Sequence, residues 1–152
     1  MAEHFYDTSA AVKHYRAEVG TATVDTLLAD TASRHYLSAL GVIEIHSVFA
    51  RLVRMGQLTL PEFRRLRGLL LNDIASGLWL VVQVTPADFQ RAQQLLIQHA
   101  TTRSCRTLDA LQLAVALALH VINALDDFVC ADANLCLLAA AEGLTVINPE
   151  VP

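Results

Sequence analysis

Two rhythms of apolar residues alternate along this chain: short runs rich in β-forming residues, and longer stretches with helical spacing. Phe5-Tyr6 ends a short first strand, and Thr8-Ser9 then caps a helix running through Val12, Tyr15 and Arg16. A second helix is expected over about 21–30, with His35-Tyr36-Leu37 following as a strand. Val42, Ile45, Val48, Phe49 and Leu52 keep to one face of a helix over about 39–55, which Gly56 stops. Thr59-Leu60-Pro61-Glu62 has the form of a capping box with proline in the first turn, opening a helix to about Ser76. The stretch 79–84 reads as an apolar, β-branched strand of the kind buried on both faces, and Thr85-Pro86 opens a helix ending near Thr101. Residues 107–122 (TLDALQLAVALALHVI) are apolar around most of a helix circumference, which places that helix at the centre of a core. A strand at Phe128-Val129-Cys130, a helix over 133–142 closed by Gly143, and a strand over 145–147 complete the pattern. Strands alternating with helices predict an α/β fold, a three-layer domain with a central, mainly parallel sheet, spanning 1–152 as one unit.

Composition narrows the class. The chain has 152 residues, 54% hydrophobic and 17% charged, enough for one domain that buries about 70% of its unfolded surface. The apolar run 108–125 is interrupted by Asp109, Gln112, His120 and Asn123, so a membrane span is not expected. The N-terminus lacks the basic-then-apolar pattern of a signal peptide, and three cysteines without a CxxC pair indicate neither a disulfide framework nor a zinc knuckle. A cytoplasmic protein is the expectation. A net charge of −4 argues against non-specific coating of nucleic acid. Yet ten of the eleven basic residues are arginine, and Arg51, Arg54, Arg64, Arg65 and Arg67 lie close together. Arginine suits bidentate contact with phosphate, although a solvated helix face is the commoner meaning of such a group. A soluble domain this apolar is also expected to cover part of its surface in a dimer or a partner complex.

Four carboxylates stand where ordinary surface charge does not explain them. Asp7 follows the first strand, at the carboxyl edge where open α/β sheets bind ligands. Glu44 sits among apolar neighbours in the third helical segment, Asp109 in the first turn of the most hydrophobic helix, and Asp132 directly after a strand. Each alone also reads as a cap or a favourable charge at a helix start. Together they suggest one crevice, whose mutual repulsion a hard divalent cation would relieve. An acid-only donor set suits Mg²⁺ or Mn²⁺ rather than zinc, and the matching chemistry is hydrolysis of a phosphodiester.

Several stretches resemble the PIN-domain ribonucleases, in particular the VapC-like toxin branch. They are Phe-Tyr-Asp-Thr-Ser-Ala-Ala-Val-Lys over 5–13, Glu44 with Ser47 and Arg51, Arg-Thr-Leu-Asp-Ala-Leu-Gln-Leu-Ala over 106–114, and Phe-Val-Cys-Ala-Asp-Ala-Asn-Leu over 128–135. Gly143-Leu144 and Val146-Ile147-Asn148-Pro149 resemble the usual ending. The resemblance implies a three-layer α/β/α fold and an Mg²⁺- or Mn²⁺-dependent endoribonuclease. Asp7, Glu44, Asp109 and Asp132 would be its catalytic metal-ligating acids, and Ser9 the hydroxyl that orients a carboxylate or a water. It further implies a homodimer and a small antitoxin partner whose tail fills the site. Cys130 departs from the threonine or serine common two residues before the fourth acid.

Other residues carry plainer expectations. His46 and His120 read as hydrogen-bonded core histidines, and Trp79 as core or dimer interface. The cysteines read as small core residues, with Cys105 the exposed one, and Asp126-Asp127 as a solvated turn. His4 is expected to point away from Phe5. Arg51, Arg54 and Arg106 are the candidates for RNA phosphate contact. A non-cleaving RNA- or protein-binding module, and a metal-dependent DNA nuclease or phosphatase, remain the alternatives to the ribonuclease reading.

Overall fold

The computed structural model describes residues 1–122 and 125–151. Five parallel strands form one sheet in the order β3-β2-β1-β4-β5: β1 (Glu3–Tyr6), β2 (Arg34–Ser38), β3 (Leu80–Val82), β4 (Asp127–Val129) and β5 (Val146–Ile147). The expected α/β/α architecture is therefore present. From β1 the chain builds outward to β2 and β3 on one side, then returns to place β4 and β5 on the other. The switch point lies between β1 and β4, and the carboxyl ends of those two strands open onto one crevice.

Strand alternation assigns the two faces. Phe5 and Phe128 stack at 5.8 Å beneath α5 (Pro86–His99), α6 (Thr107–Val121) and α7 (Ala133–Ala141). Tyr6, Leu37 and Val129 face α1 (Thr8–Ala11), α2 (Thr21–Leu28), α3 (Ala39–Arg54) and α4 (Leu60–Ala75). Every residue of α6 from Ala110 to Leu117 is buried, as its nearly uniform apolar circumference predicts. The Thr59 capping box is also formed: Glu62 accepts from the Thr59 amide at 2.7 Å, and the Glu62 amide donates to Thr59 Oγ1 at 3.3 Å.

The differences from expectation have local causes. Asp7, rather than Thr8 or Ser9, caps α1, which gives way to a 3₁₀ turn at Val12–His14 before reaching Tyr15. The expected central strand over 79–84 is three residues at the sheet edge with Leu80 exposed. Trp79 is 1% exposed, and its Nε1 donates to Tyr15 Oη at 2.7 Å, which in turn donates to Asp73. Asp126 is exposed in a bend before β4, as expected, and accepts from the Glu3 amide at 2.8 Å, whereas Asp127 is half-buried and opens β4 itself. His120 is exposed and contacts the Leu125 carbonyl at 3.2 Å, so it is not a core histidine; His46 is half-buried and bonds back to Val42 O. Cys130 is buried, whereas Cys105 and Cys136 are both half-buried.

His4 lies at the amino-terminal side of the sheet, away from the crevice. Its ring stacks on His35 at 5.6 Å, and its Nδ1 lies 3.1 Å from Asp127 Oδ2 but off the hydrogen-bond axis. His35 Nδ1 meets Tyr6 Oη at 3.2 Å, while its Nε2 has no partner among the described residues. Burial and then the neighbouring His4 hold the His35 pKa below the ordinary histidine range. The folded state thus keeps this ring neutral, whereas the unfolded chain takes up a proton below about pH 6.5, so acidification favours unfolding. Chemical denaturation of wild type and His35→Phe at pH 7.5 and pH 5.5 should show a larger loss of stability in wild type. Equal losses would contradict this reading of the stacked pair.

Candidate active site

Asp7 is the last residue to bond along the β1–β4 edge: its amide donates to Val129 O at 2.9 Å before the chain turns into α1. Its carboxylate caps that turn, accepting from the Ser9 amide at 3.0 Å and from Ser9 Oγ at 2.6 Å. The same hydroxyl accepts from the amides of Ala131 and Asp132 at 3.0 and 3.2 Å. One serine therefore ties together the ends of both central strands and fixes the two acids that follow them. Asp132 caps α7, its Oδ1 accepting from the Leu135 amide at 3.0 Å.

Glu44 reaches the crevice from α3, and Asp109 from the first turn of α6. A buried glutamine couples these helices. Gln112 Nε2 donates to Glu44 Oε1 at 2.9 Å and to Thr8 Oγ1 at 3.1 Å, while its Oε1 accepts from Ser38 Oγ at 2.6 Å. Ser38 closes β2 and caps α3 through the Gly41 amide at 2.8 Å. Gly41 packs closely at that point: a Cβ there would stand 3.1 Å from Gln112 Nε2, which would have to shift by a few tenths of an ångström. Arg106 sits at the start of α6, its Nε donating to Asp109 Oδ2 at 2.9 Å and its Nη2 to Asp132 Oδ2 at 3.3 Å.

Asp7, Glu44, Asp109 and Asp132 all line one cleft of about 1000 Å³, together with Ser9, Ser47 and Arg106. Arg51 and Arg54 line it as well, whereas Arg64, Arg65 and Arg67 are exposed on α4 and outside it, so the arginine group is split. Lys13, Arg16 and Gln57 extend the cleft beyond the sequence expectation. Gln112, Ser38 and Thr8 were not singled out by sequence either. The available signal was one polar residue three positions after Asp109, in a helix otherwise apolar over that stretch. Cys130, in place of a hydroxyl residue, keeps its thiol 3.9 Å from Asp7 Oδ2 and 3.5 Å from Asp132 O, while Ser9 supplies the short bonds.

The electrostatics follow from this crowding. Burial pushes the Asp7 pKa up; the Ser9 bonds oppose that, and Asp109 adds to it. Burial likewise raises Glu44, against the Gln112 bond and with help from Asp7 and Asp109. Oxygen groups, the four carboxylates foremost, are the potential ligands on the cleft wall, with no His or Cys among its lining residues, a donor set that fits a hard cation such as Mg²⁺ or Mn²⁺. Among the described residues no three His, Cys, Asp or Glu side chains form a ready-made cage.

The chain belongs to the PIN domain family, whose model matches residues 5–141. Its fold is similar to that of VapC20 from Mycobacterium tuberculosis, a toxin described as cleaving the sarcin-ricin loop. The TM-score is 0.69 at 18% identity, over 96% of this chain and 99% of that one. It is also similar to FitAcB from Neisseria gonorrhoeae (TM-score 0.68, 20% identity, 98% and 99% covered). A third similar structure is PAE2754 from Pyrobaculum aerophilum (TM-score 0.64, 15% identity, 95% and 83% covered). No curated protein sequence matches the chain.

The wiring of the acids sets their contribution to stability. Gln112→Leu strands the Ser38 and Thr8 hydroxyls and Glu44, and should lower unfolding free energy by about 2 kcal/mol or more in denaturant titration. Asp7→Asn keeps the cap but removes a buried charge, and should raise Tm at pH 7.5 in EDTA by about 2–4 °C. The wild-type carboxyl holds its proton to a higher pH when folded than when unfolded, so its penalty is present at neutral pH and is relieved on acidification. The Asn gain should therefore shrink toward pH 4.

Proposed function

We propose that this protein is a divalent-metal-dependent endoribonuclease, a VapC-like toxin that hydrolyses RNA phosphodiester bonds. The observation that carries this reading is one cleft lined both by the four carboxylates and by Arg16, Arg51 and Arg54, which pair with no carboxylate among the described residues, while Lys13 on the same wall is held by Glu18 and Glu150. An acidic pole for a cation beside a basic track for phosphates is what cleavage of a polyanion requires. Asp7, Glu44, Asp109 and Asp132 are the ligating acids, some through water. Mg²⁺ or Mn²⁺ held by these acids would supply charge neutralisation on the phosphoryl oxygens and activation of the attacking water. Ser9 holds the Asp7 carboxylate and the Asp132 backbone in place; Gln112 holds Glu44. Arg51 and Arg54 pair with backbone phosphates and keep the strand in register with the acids.

Partners follow from the same surface. Ile43, Met55 and Leu108 are exposed on the cleft wall, giving a small antitoxin apolar footholds beside the charged ones. Homodimerisation is supported by exposed Phe89 and Ile97 on α5, at 53% and 77%. Among the described residues no helix is long and apolar enough to cross a membrane, and a cytoplasmic site of action completes the proposal.

The test is incubation of purified protein with structured RNAs and matched DNAs, in Mn²⁺ or Mg²⁺ against EDTA. Metal-dependent cutting of RNA by wild type is expected, with Asp109→Asn inactive yet folded. Cutting of DNA alone would change the substrate class, and binding without cutting across the panel would favour a binding module. Cutting that survives both EDTA and the mutation would remove the metal site from the reaction. Separately, Arg51→Gln with Arg54→Gln should weaken single-stranded RNA binding and flatten its salt dependence, by about 0.7 in log–log slope for each phosphate no longer neutralised.

A further inference from the structure

Arg106 differs from the other arginines of the cleft. Arg16, Arg51 and Arg54 pair with no carboxylate among the described residues, whereas Arg106 spans two. Its Nε and Nη2 lie 2.9 and 3.4 Å from Asp109 Oδ2 and Oδ1, so both Asp109 oxygens are taken. Its Nη2 also lies 3.3 Å from Asp132 Oδ2. The other Asp132 oxygen already accepts from the Leu135 amide, so Arg106 holds the oxygen left over for a cation. The guanidinium thus contacts three carboxylate oxygens that a cation at these acids would use. Its side chain is 72% exposed, with room in the cleft to swing away.

We propose that Arg106 is the resident counter-ion of the metal-free site, a positioning residue that holds Asp109 and Asp132 together until a divalent cation displaces it. The inference rests on the metal reading given above. Two carboxylates brought together without a cation repel each other, and a bidentate guanidinium offsets that repulsion through matched hydrogen bonds. An ion pair this exposed is weak, so a divalent ion at the same oxygens outcompetes it. Once released, the guanidinium remains tethered at the cleft mouth, with its charge free to meet a substrate phosphate. One side chain then couples cation entry to anion binding.

The experiment is calorimetric titration of Mn²⁺ into wild type, Arg106→Gln, Arg106→Lys and Asp109→Asn at low ionic strength, with thermal melts in EDTA to establish folding. Removing a competitor worth one exposed ion pair should tighten Mn²⁺ binding about three- to fivefold in Arg106→Gln. Arg106→Lys keeps the charge but loses the fork, and should share most of that gain. Unchanged or weaker Mn²⁺ binding in folded Arg106→Gln would overturn the proposal. A gain confined to the Gln variant would also overturn it, because Arg106 would then act only through its charge at a distance. If wild type binds Mn²⁺ and Asp109→Asn does not, the metal reading stands whichever way Arg106 falls. If no protein binds Mn²⁺, the metal reading fails and this inference falls with it.

Discussion

Everything at the cleft answers to one constraint: a carboxylate is buried at the end of the central strand, close enough to a second to feel its charge. Asp7 is 6% exposed, and both its burial and Asp109 favour its neutral form. Keeping that group anionic requires donors, and the backbone geometry supplies them: the α1 turn aims the Ser9 amide and hydroxyl at Asp7 Oδ2. The parallel sheet makes the arrangement possible, because adjacent β1 and β4 end side by side and both feed helices whose first turns are capped by aspartate. The fold concentrates negative charge where caps are needed, then uses the caps to hold it.

The layers on either side of the sheet have different tasks. On the α5–α7 side, packing is almost wholly apolar, and the deeply buried α6 brings Asp109 in its first turn and Arg106 at its N-cap to the cleft. On the α1–α4 side polar contacts of aromatic groups stitch the core, with Trp79 donating to Tyr15 and Tyr15 to the Asp73 carboxylate. That side carries the basic track of the cleft, presented from α3 and from the segment after α1. An apolar anchor for the acids and a polar-laced support for the cations meet at the switch point.

Much of this was legible in the chain because the signals were local. Asp7 after a short apolar run, the Thr59 box and the all-apolar α6 each announce themselves within a few residues. So did the family resemblance, which rested on acids and their immediate neighbours. What was not legible depends on long-range placement. An apolar strand over 79–84 looks central until the sheet order puts it at an edge, where Trp79 is buried by α4 and Tyr15 rather than by two flanking strands. The arginine group looks like one feature, yet Arg51 and Arg54 line the cleft from the last turn of α3 while Arg64, Arg65 and Arg67 lie on the separate helix α4, outside it. Gln112 carries no local signal strong enough to reveal that three separate elements, β2, α1 and α3, meet at its amide.

The close approach of Gly41 to Gln112 has a consequence for how this sequence can drift. The space at the head of α3 is filled to contact: a methyl group at position 41 would press on the Gln112 amide and on Ser38 Oγ. Substitutions at 41 and 112 are therefore not independent. A larger residue at 41 becomes tolerable once 112 is shortened, and a shortened 112 leaves Glu44 without its donor unless position 41 or its neighbours provide another. In homologous chains the residue at 41 and the length of the side chain at 112 are therefore expected to vary together, because the space one gives up is the space the other takes.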